Sequence, residues 1–386
     1  MEVMDAGVHV LNTLMDAGYE AYFVGGMVRD KLLGLLLHDI DVTTSAPAAD
    51  VLGLFERAIP TGLAHGTVTV LVGEVSVEVT TYRQDGTYTD GRRPDAVYYT
   101  ASLVEDLRRR DFTINAMAMD KEGQIIDPLN GAADLQMKRI RAVGDARQRF
   151  QEDPLRMLRA LRFCSKLGFC LEPGTRQALF LEGHLVGGLA RERVMKELDG
   201  LMQGAHRVGA MELFIQTGLL GQFPDFKPLA GFLADQFLGF CFGIDLFLLA
   251  ALFTGDLTAY LAAWPFSRSE KKLIKTVVGL WGQMEPLIWV QYKEGVDAAW
   301  AIHRLQVFFG QWEGPFVLQE PAINQRGELA LDAKKIMAAA GLAGGPEAGR
   351  LLLAIEREVV LGKLKNDSPE ILAYIGENYV SAQKNQ

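Results

Sequence analysis

The hydrophobic periodicity changes once along this chain, and no other feature constrains its fold as much. Up to Asp127-Pro128, two-residue alternation and three-to-four-residue spacing succeed one another. From about residue 145 onward only helical spacing remains, as in DPLRMLRALRFCSKLG, RERVMKELDGLM and GAMELFIQTGLL. The expectation is α+β: a small mixed α/β head followed by a long all-helical body. At 386 residues the chain exceeds one ordinary core, and the Gly/Pro breaks near 204, 264 and 314 are candidate joints.

Within the head, AYFVGG reads as a strand ending in a turn, and MVRDKLLG as a short helix closed by Gly34. IDVTT is the next strand. SAPAADVLGLFERA reads as a helix with Ser45 as N-cap and Pro47 in the first turn. TVTVLV and VSVEVTTY, separated by Gly73-Glu74, form a hairpin. RQDGTYTDGRRPDAVYY reads as a long loop, and Ser102 with Glu105 as a capping box.

The apolar segment LAGFLADQFLGFCFGIDLFLLAALF carries Asp235 and Asp245, so it is expected to form core helices rather than a membrane span. The N-terminal stretch has acids at Glu2 and Asp5, unlike a secretory leader. Cys164, Cys170 and Cys241 show neither zinc spacing nor an even set, which fits a soluble protein of the reducing cytoplasm. The net charge is −9, yet residues 108–166 hold thirteen Lys/Arg against eight Asp/Glu. That local excess suits a polyanionic partner as well as a solvated helical face.

Asp39 and Asp41, two apart on a strand, emerge on one face. An exposed strand face accounts for them; so does a cation held between them, since like charges side by side are costly. Oxygen-only donors suit Mg²⁺. Glu78, the one acid inside VSVEVTTY, is a candidate third carboxylate. Three such groups can serve two-metal phosphoryl chemistry. Gly25-Gly26 before a helix start suit a phosphate cradle as well as a tight turn. His38-Asp39 would suit a metal phosphohydrolase only with further histidines, and the six in the chain are scattered.

RRRDFTINAMAMD, residues 108–120, places three arginines, Asp111 and Asn115 around a helix start beside a nucleotide site. In EDPLRMLRALRF, Asp153 and Arg156 are three apart and expected as neighbours on a helix. They form either a simple ion pair or a base reader. Asp only accepts and Arg only donates. Cytosine and adenine both present an amino donor beside a ring-nitrogen acceptor. One such pair therefore admits C and A and rejects U and G.

GGMVRD with DID, RRDFTINAMA, EDPLRMLRALRF and ARERVMKEL, in that order, resemble the motifs of the class II tRNA nucleotidyltransferases, the CCA-adding enzymes of the polymerase-beta superfamily. The likeness is strong over about the first 200 residues and looser in MAAAGLAGGPEAGRLL. It implies a catalytic head at 1–138, a helical neck with base recognition at 139–204, a body at 205–280 and a tRNA-binding tail at 281–386. It implies Asp39 and Asp41 as Mg²⁺ ligands and Glu78 as the third catalytic carboxylate. The implied nucleotide site comprises Gly25, Gly26, Arg29, Arg110, Asp111, Asn115, Asp153, Arg156, Arg159 and Arg162, with Arg110 and Asp111 at the ribose. Lys334, Lys335 and Arg350, with Lys363 and Lys365, are the implied tRNA contacts, and the helix start at GGPEAGR a phosphate contact.

The implied partners are tRNA, CTP and ATP, with no membrane and no protein partner. The implied reaction is template-independent addition of C, C and A to the tRNA 3′ end. CC-only members lack most of the loop represented here by RQDGTYTDGRRPD, which speaks against that type but does not separate A-adding from full CCA-adding. Poly(A) polymerases share the head motifs, and a tRNA-binding protein with an inactive head is the non-enzymatic alternative.

Overall fold

The computed structural model describes residues 3–37, 39–86, 97–234 and 243–380. It divides into two compact units, Met1–Leu238 and Gly239–Gln386. The long-loop reading lies largely outside the described residues, which omit 87–96, as do His38, Asp235, Cys241 and the last six residues.

The first unit begins with helix α1 (Val3–Asp16), which buries Ala6, Val10, Leu11 and Leu14 at helical spacing. Strand β1 (Ala21–Val24) leads into α2 (Gly26–Leu32), and β2 (Ile40–Thr44) into α3 (Ala48–Leu54). Ser45 is not the cap of α3: Pro47 holds that position, and the Ser45 hydroxyl accepts the Glu20 N–H instead. Strands β3 (Ala58–Gly62), β4 (Thr67–Val72) and β5 (Val75–Thr81) follow, with β4 and β5 joined by the two-residue Gly73-Glu74 turn. β3 lacks alternation and carries Pro60, so it gives no strand signal; it sits at the sheet edge, where proline is tolerated.

A short ribbon, β6 (Arg83–Asp85) with β7 (Val97–Tyr99), precedes α4 (Leu103–Arg108). The Ser102 hydroxyl caps α4 by accepting the Glu105 N–H. The expected helix start at RRRDFTINAMAMD is a 3₁₀ turn at Thr113–Asn115 and then β8 (Ala118–Met119), paired with β9 (Ile125–Ile126). The main sheet runs β3-β4-β5-β2-β1-β8-β9, antiparallel except for the parallel pair β2 and β5. Val24, Tyr82, Leu103, Leu107 and Ala118 pack α4 onto it.

Helices then take over: α5 (Gly131–Gln136), α6 (Ala146–Glu152), α7 (Leu155–Leu167), α8 (Pro173–Glu182), α9 (Arg191–Gln203), α10 (Arg207–Gln216) and α11 (Lys227–Ala234). EDPLRMLRALRF is not one helix. Pro154 disfavours the α conformation at the residue before it. Asp153 is accordingly extended (φ −140°, ψ 97°), ending α6 and preceding α7. Asp153 and Arg156 are thus not neighbours on one helix.

The second unit is all-helical, from Gly243–Phe253 to Ser368–Ile375, around a core that includes Trp289, Ile336, Leu351, Ile355, Val359 and Ile371. In the apolar segment, Leu246–Ala251 are buried, and Asp245 is neutralised by three hydrogen bonds from Arg304 at 2.8–3.0 Å. Among the described residues, no helix is long and apolar enough to cross a membrane.

Candidate active site

The β2–β5 pairing builds one wall. Ile40 and Val42 point into the core, so the alternation turns Asp41 to the other face; Asp39 immediately precedes the strand rather than lying on it and lines the same cavity. The parallel register sets Asp41 opposite Glu78, on the face alternating with buried Val77 and Val79. Beside them β1 ends in Gly25, the N-cap of α2, at φ +72°. A side chain there would be strained, and its Cβ would lie 3.2 Å from Asp41 Oδ2 and 3.3 Å from Arg110 Nη1.

These residues line a cavity of about 760 Å³ together with Gly26, Arg29, Asp111, Asn115, Asp153, Arg156, Arg159 and Arg162. The structure thus gathers every candidate from the first 204 residues around one opening. It adds Arg83, Arg109, Lys166, Arg193 and Lys196, so ten basic side chains face five acidic ones, the balance expected of a polyanion site.

Seven of the arginines are ion-paired. Arg29 meets Asp30 at 2.7 Å, Arg109 and Arg110 share Asp106 at 2.9 and 3.3 Å, and Arg156 meets Glu152 at 2.8 Å. Arg159 meets Asp111 at 2.6 Å, Arg162 meets Glu197 at 2.6 Å, and Arg193 meets Asp153 at 2.9 Å. Among the described residues, Asp39, Asp41 and Glu78 have no ion pair. Burial first, then Glu78 and Asp39, push the Asp41 carboxyl up to about 6 against the opposing pull of Arg110 and Arg29.

That crowding fits a divalent cation. No three His, Cys, Asp or Glu side chains among the described residues form a complete cage. Mg²⁺ does not require one, since it is commonly held by one or two carboxylates plus substrate phosphates.

At the far end, Asp111 is saturated. Its Oδ1 accepts from Phe112 N–H (2.8 Å) and Asn115 Nδ2 (3.1 Å), and its Oδ2 from Arg159 Nε (2.8 Å) and Nη2 (2.6 Å). Burial would raise its pKa, but Arg159 and these donors hold it at about 2. Arg156 also donates to the carbonyls of Arg149 (3.1 Å) and Arg109 (3.3 Å), while Asp153 Oδ1 accepts the Leu155 N–H (3.1 Å). Asp153 and Arg156 are each fixed by a partner other than the other.

Sequence reasoning missed the carboxylates that hold the arginines: Asp30, Asp106, Glu152 and Glu197. The signal was present for two of them. Asp106 stands three and four residues before Arg109 and Arg110, and Glu152 four before Arg156.

Lys334, Lys335, Arg350, Lys363 and Lys365 belong to the second unit, where all are exposed. Lys335 lies 3.7 Å from Asp332. The helix Pro346–Val360 opens at Gly345 with no side-chain cap.

Carboxylates on adjacent strands facing an arginine-lined cavity define a nucleotidyltransferase head. Residues 21–141 match the family model of the Poly A polymerase head domain, 168–229 that of the RNA and SrmB-binding site of polymerase A, and 245–375 that of tRNA nucleotidyltransferase domain 2. The CCA-adding enzyme of Lactococcus lactis subsp. cremoris is 38% identical over 379 residues, covering 95% of this chain and 94% of that protein. That of Lacticaseibacillus paracasei is 39% identical over 378 residues, covering 95% and 94%. The crystal structure of the Bacillus stearothermophilus CCA-adding enzyme in complex with CTP superposes with a TM-score of 0.77 at 31% identity, covering all of both chains. The chain belongs to the CCA-adding enzyme family.

Proposed function

We propose that this enzyme adds C, C and A in turn to the 3′ end of tRNA, from CTP and ATP, in the cytoplasm. The observation that carries the reading is the division of charge in the cavity. Its paired arginines are already aimed, and Asp39, Asp41 and Glu78 are left without an ion pair among the described residues. The full CCA reading is preferred to an A-adding, CC-adding or poly(A) activity because relatives at 36–39% identity over nearly the whole chain bear the CCA-adding name. We assign 1–138 as head, 139–204 as neck, 205–280 as body and 281–386 as tail.

In this reading Asp39 and Asp41 hold Mg²⁺, with Glu78 beside them. The bound ion would acidify the attacking hydroxyl and offset charge on the phosphates. The terminal ribose hydroxyl of the tRNA attacks the α-phosphorus, the bond to the β-phosphate oxygen breaks, and pyrophosphate leaves. Gly25-Gly26 let the phosphates approach the backbone, and Arg29 and Arg110 face them with geometry set in advance. Asp111 spends its acceptors on Asn115 and Arg159, so it serves the ribose end by orienting those donors. Asp153 accepts from the base amino group and Arg156 donates to the ring nitrogen. Glu152 and Arg193 hold that pair in place. Lys334, Lys335 and Arg350, with Lys363, Lys365 and the helix start at Pro346, meet tRNA phosphates.

The test is incorporation of labelled CTP and ATP on tRNA transcripts ending before, within and after CC. C, C and A added in order, with nothing added to completed ends, is the expected result. Addition of A alone would convert the reading to an A-adding enzyme. Absence of any incorporation by folded protein would leave a tRNA-binding protein with an inactive head.

A further inference from the structure

Asp106 is fully buried on α4, yet it faces the cavity's arginines. Its Oδ1 accepts from Arg109 Nε at 2.9 Å and from the Arg83 backbone N–H at 3.3 Å. Its Oδ2 accepts from Arg110 Nη2 at 3.3 Å and from the Thr43 hydroxyl at 3.2 Å. Thr43 lies two residues beyond Asp41 on β2, so this carboxylate is tied to the strand that carries the proposed metal ligands.

Arg110 has the longest ion pair of the seven, 3.3 Å. Asp106 is its one carboxylate partner among the described residues, and its Nε is buried without a hydrogen bond. Its Nη1 and Asp41 Oδ2 both lie within 3.3 Å of the point where a Gly25 side chain would begin. A guanidinium that close to an unpaired carboxylate is drawn to it, and it would occupy the position a divalent cation needs.

We propose that Asp106 is a positioning residue that holds Arg110 off Asp41 and so keeps the metal-binding carboxylates open. The inference rests on the metal-site reading of Asp39 and Asp41. Arg109 and Arg110 together carry two positive charges against the single charge of Asp106. The geometry therefore leaves one positive charge for substrate phosphate, while Nη2 of each arginine is held on Asp106 and neither forms an ion pair with Asp41. Neutralising Asp106 frees Arg110 to pair with Asp41.

The experiment measures binding of Mn²⁺ alone to the full-length protein, from the electron paramagnetic resonance signal of the free ion, with thermal unfolding to verify the fold. Asp106→Asn should weaken Mn²⁺ about tenfold. Adding Arg110→Gln should restore affinity to within about twofold of Arg110→Gln alone, which a merely structural defect would not do. Arg110→Gln alone should itself change affinity by about twofold or less, because Asp106 already holds the guanidinium out of an ion pair with Asp41.

Wild-type affinity in Asp106→Asn overturns the proposal, as does a double variant that stays weak. Where Asp106→Asn does not fold, the Arg110→Gln arm decides. A change of about twofold or less supports the proposal, and tighter binding by about tenfold shows that Arg110 already competes for Asp41 and overturns it. The Asp41→Asn control separates the two levels. If it leaves Mn²⁺ binding unchanged, the metal-site reading itself fails; if it abolishes binding, only the role of Asp106 is at stake.

Discussion

Asp41 and Glu78 are register partners on the parallel strands β2 and β5, so two carboxylates stand side by side on one face of the sheet. Such an arrangement is unfavourable in the folded protein without a cation. Its cost gives the first prediction.

Because burial, Glu78 and Asp39 raise the Asp41 carboxyl to about 6, the folded state binds that proton more tightly than the unfolded chain does. Stability from this group is present below about pH 4 and is lost as pH rises to about 6 and beyond. Asp41→Asn should therefore stabilise metal-free protein by about 1–2 kcal/mol at pH 8 and by almost nothing at pH 4. Urea unfolding at both pH values in chelator checks this. A variant less stable than wild type at pH 8 would mean that Asp41 is structurally paired.

Metal binding should show the same linkage. In the proposed site Mg²⁺ would have to displace the Asp41 proton, so its affinity should fall as pH drops below about 6. Calorimetry in buffers of different ionisation enthalpy would reveal proton release near pH 6 and little at pH 8. Equal release at both would place the ion elsewhere.

Arg156→Ala removes the donor half of the proposed base reader while leaving the β2–β5 carboxylates untouched. Removing a hydrogen-bonding partner costs roughly 1–3 kcal/mol, or about ten- to a hundredfold in relative kcat/KM. UTP and GTP should gain on CTP and ATP by that factor in single-turnover assays. Unchanged selectivity would contradict base reading by the protein.

Asp111 is held at about 2, so its stabilising effect is present above about pH 4 and disappears as pH falls toward 2. Asp111→Asn leaves Arg159 without its bidentate partner and should cost about 2–4 kcal/mol at neutral pH. The cost should shrink below about pH 4. Denaturant titrations at pH 7 and pH 3.5 measure it.

Replacing Lys334, Lys335 and Arg350 together with alanine should weaken tRNA binding and flatten its dependence on salt, by up to about 0.9 in log–log slope for each phosphate no longer neutralised. An unchanged slope in filter binding would place the RNA-binding surface elsewhere.

What the sequence disclosed follows from how each residue acts. Asp41 and Glu78 were legible because strand alternation fixes the face a side chain takes, and a polar residue on an otherwise apolar strand is conspicuous; Asp39 precedes β2 and reaches the same cavity from outside the strand. Asp106 and Glu197 were not, Glu197 because its partner Arg162 lies 35 residues away in the chain. An acid three or four residues from an arginine looks the same in sequence whether the pair is solvated or, like Asp106, fully buried. β3 was hidden because an edge strand needs neither alternation nor every N–H, and Pro60 suppresses both signals. The break at Asp153 was available from Pro154, but the helical spacing on either side of it masked the proline's effect on the preceding residue.

In the proposed function the β2–β5 carboxylates serve nucleotide transfer and not tRNA docking. The most direct measurement is single-turnover incorporation of CMP and AMP by Asp41→Asn at saturating Mg²⁺, with tRNA affinity measured on the same preparation. Transfer of both nucleotides should fall by about a thousandfold or more while tRNA affinity stays within about twofold of wild type. Near-normal incorporation, or a parallel loss of tRNA binding, would contradict the account.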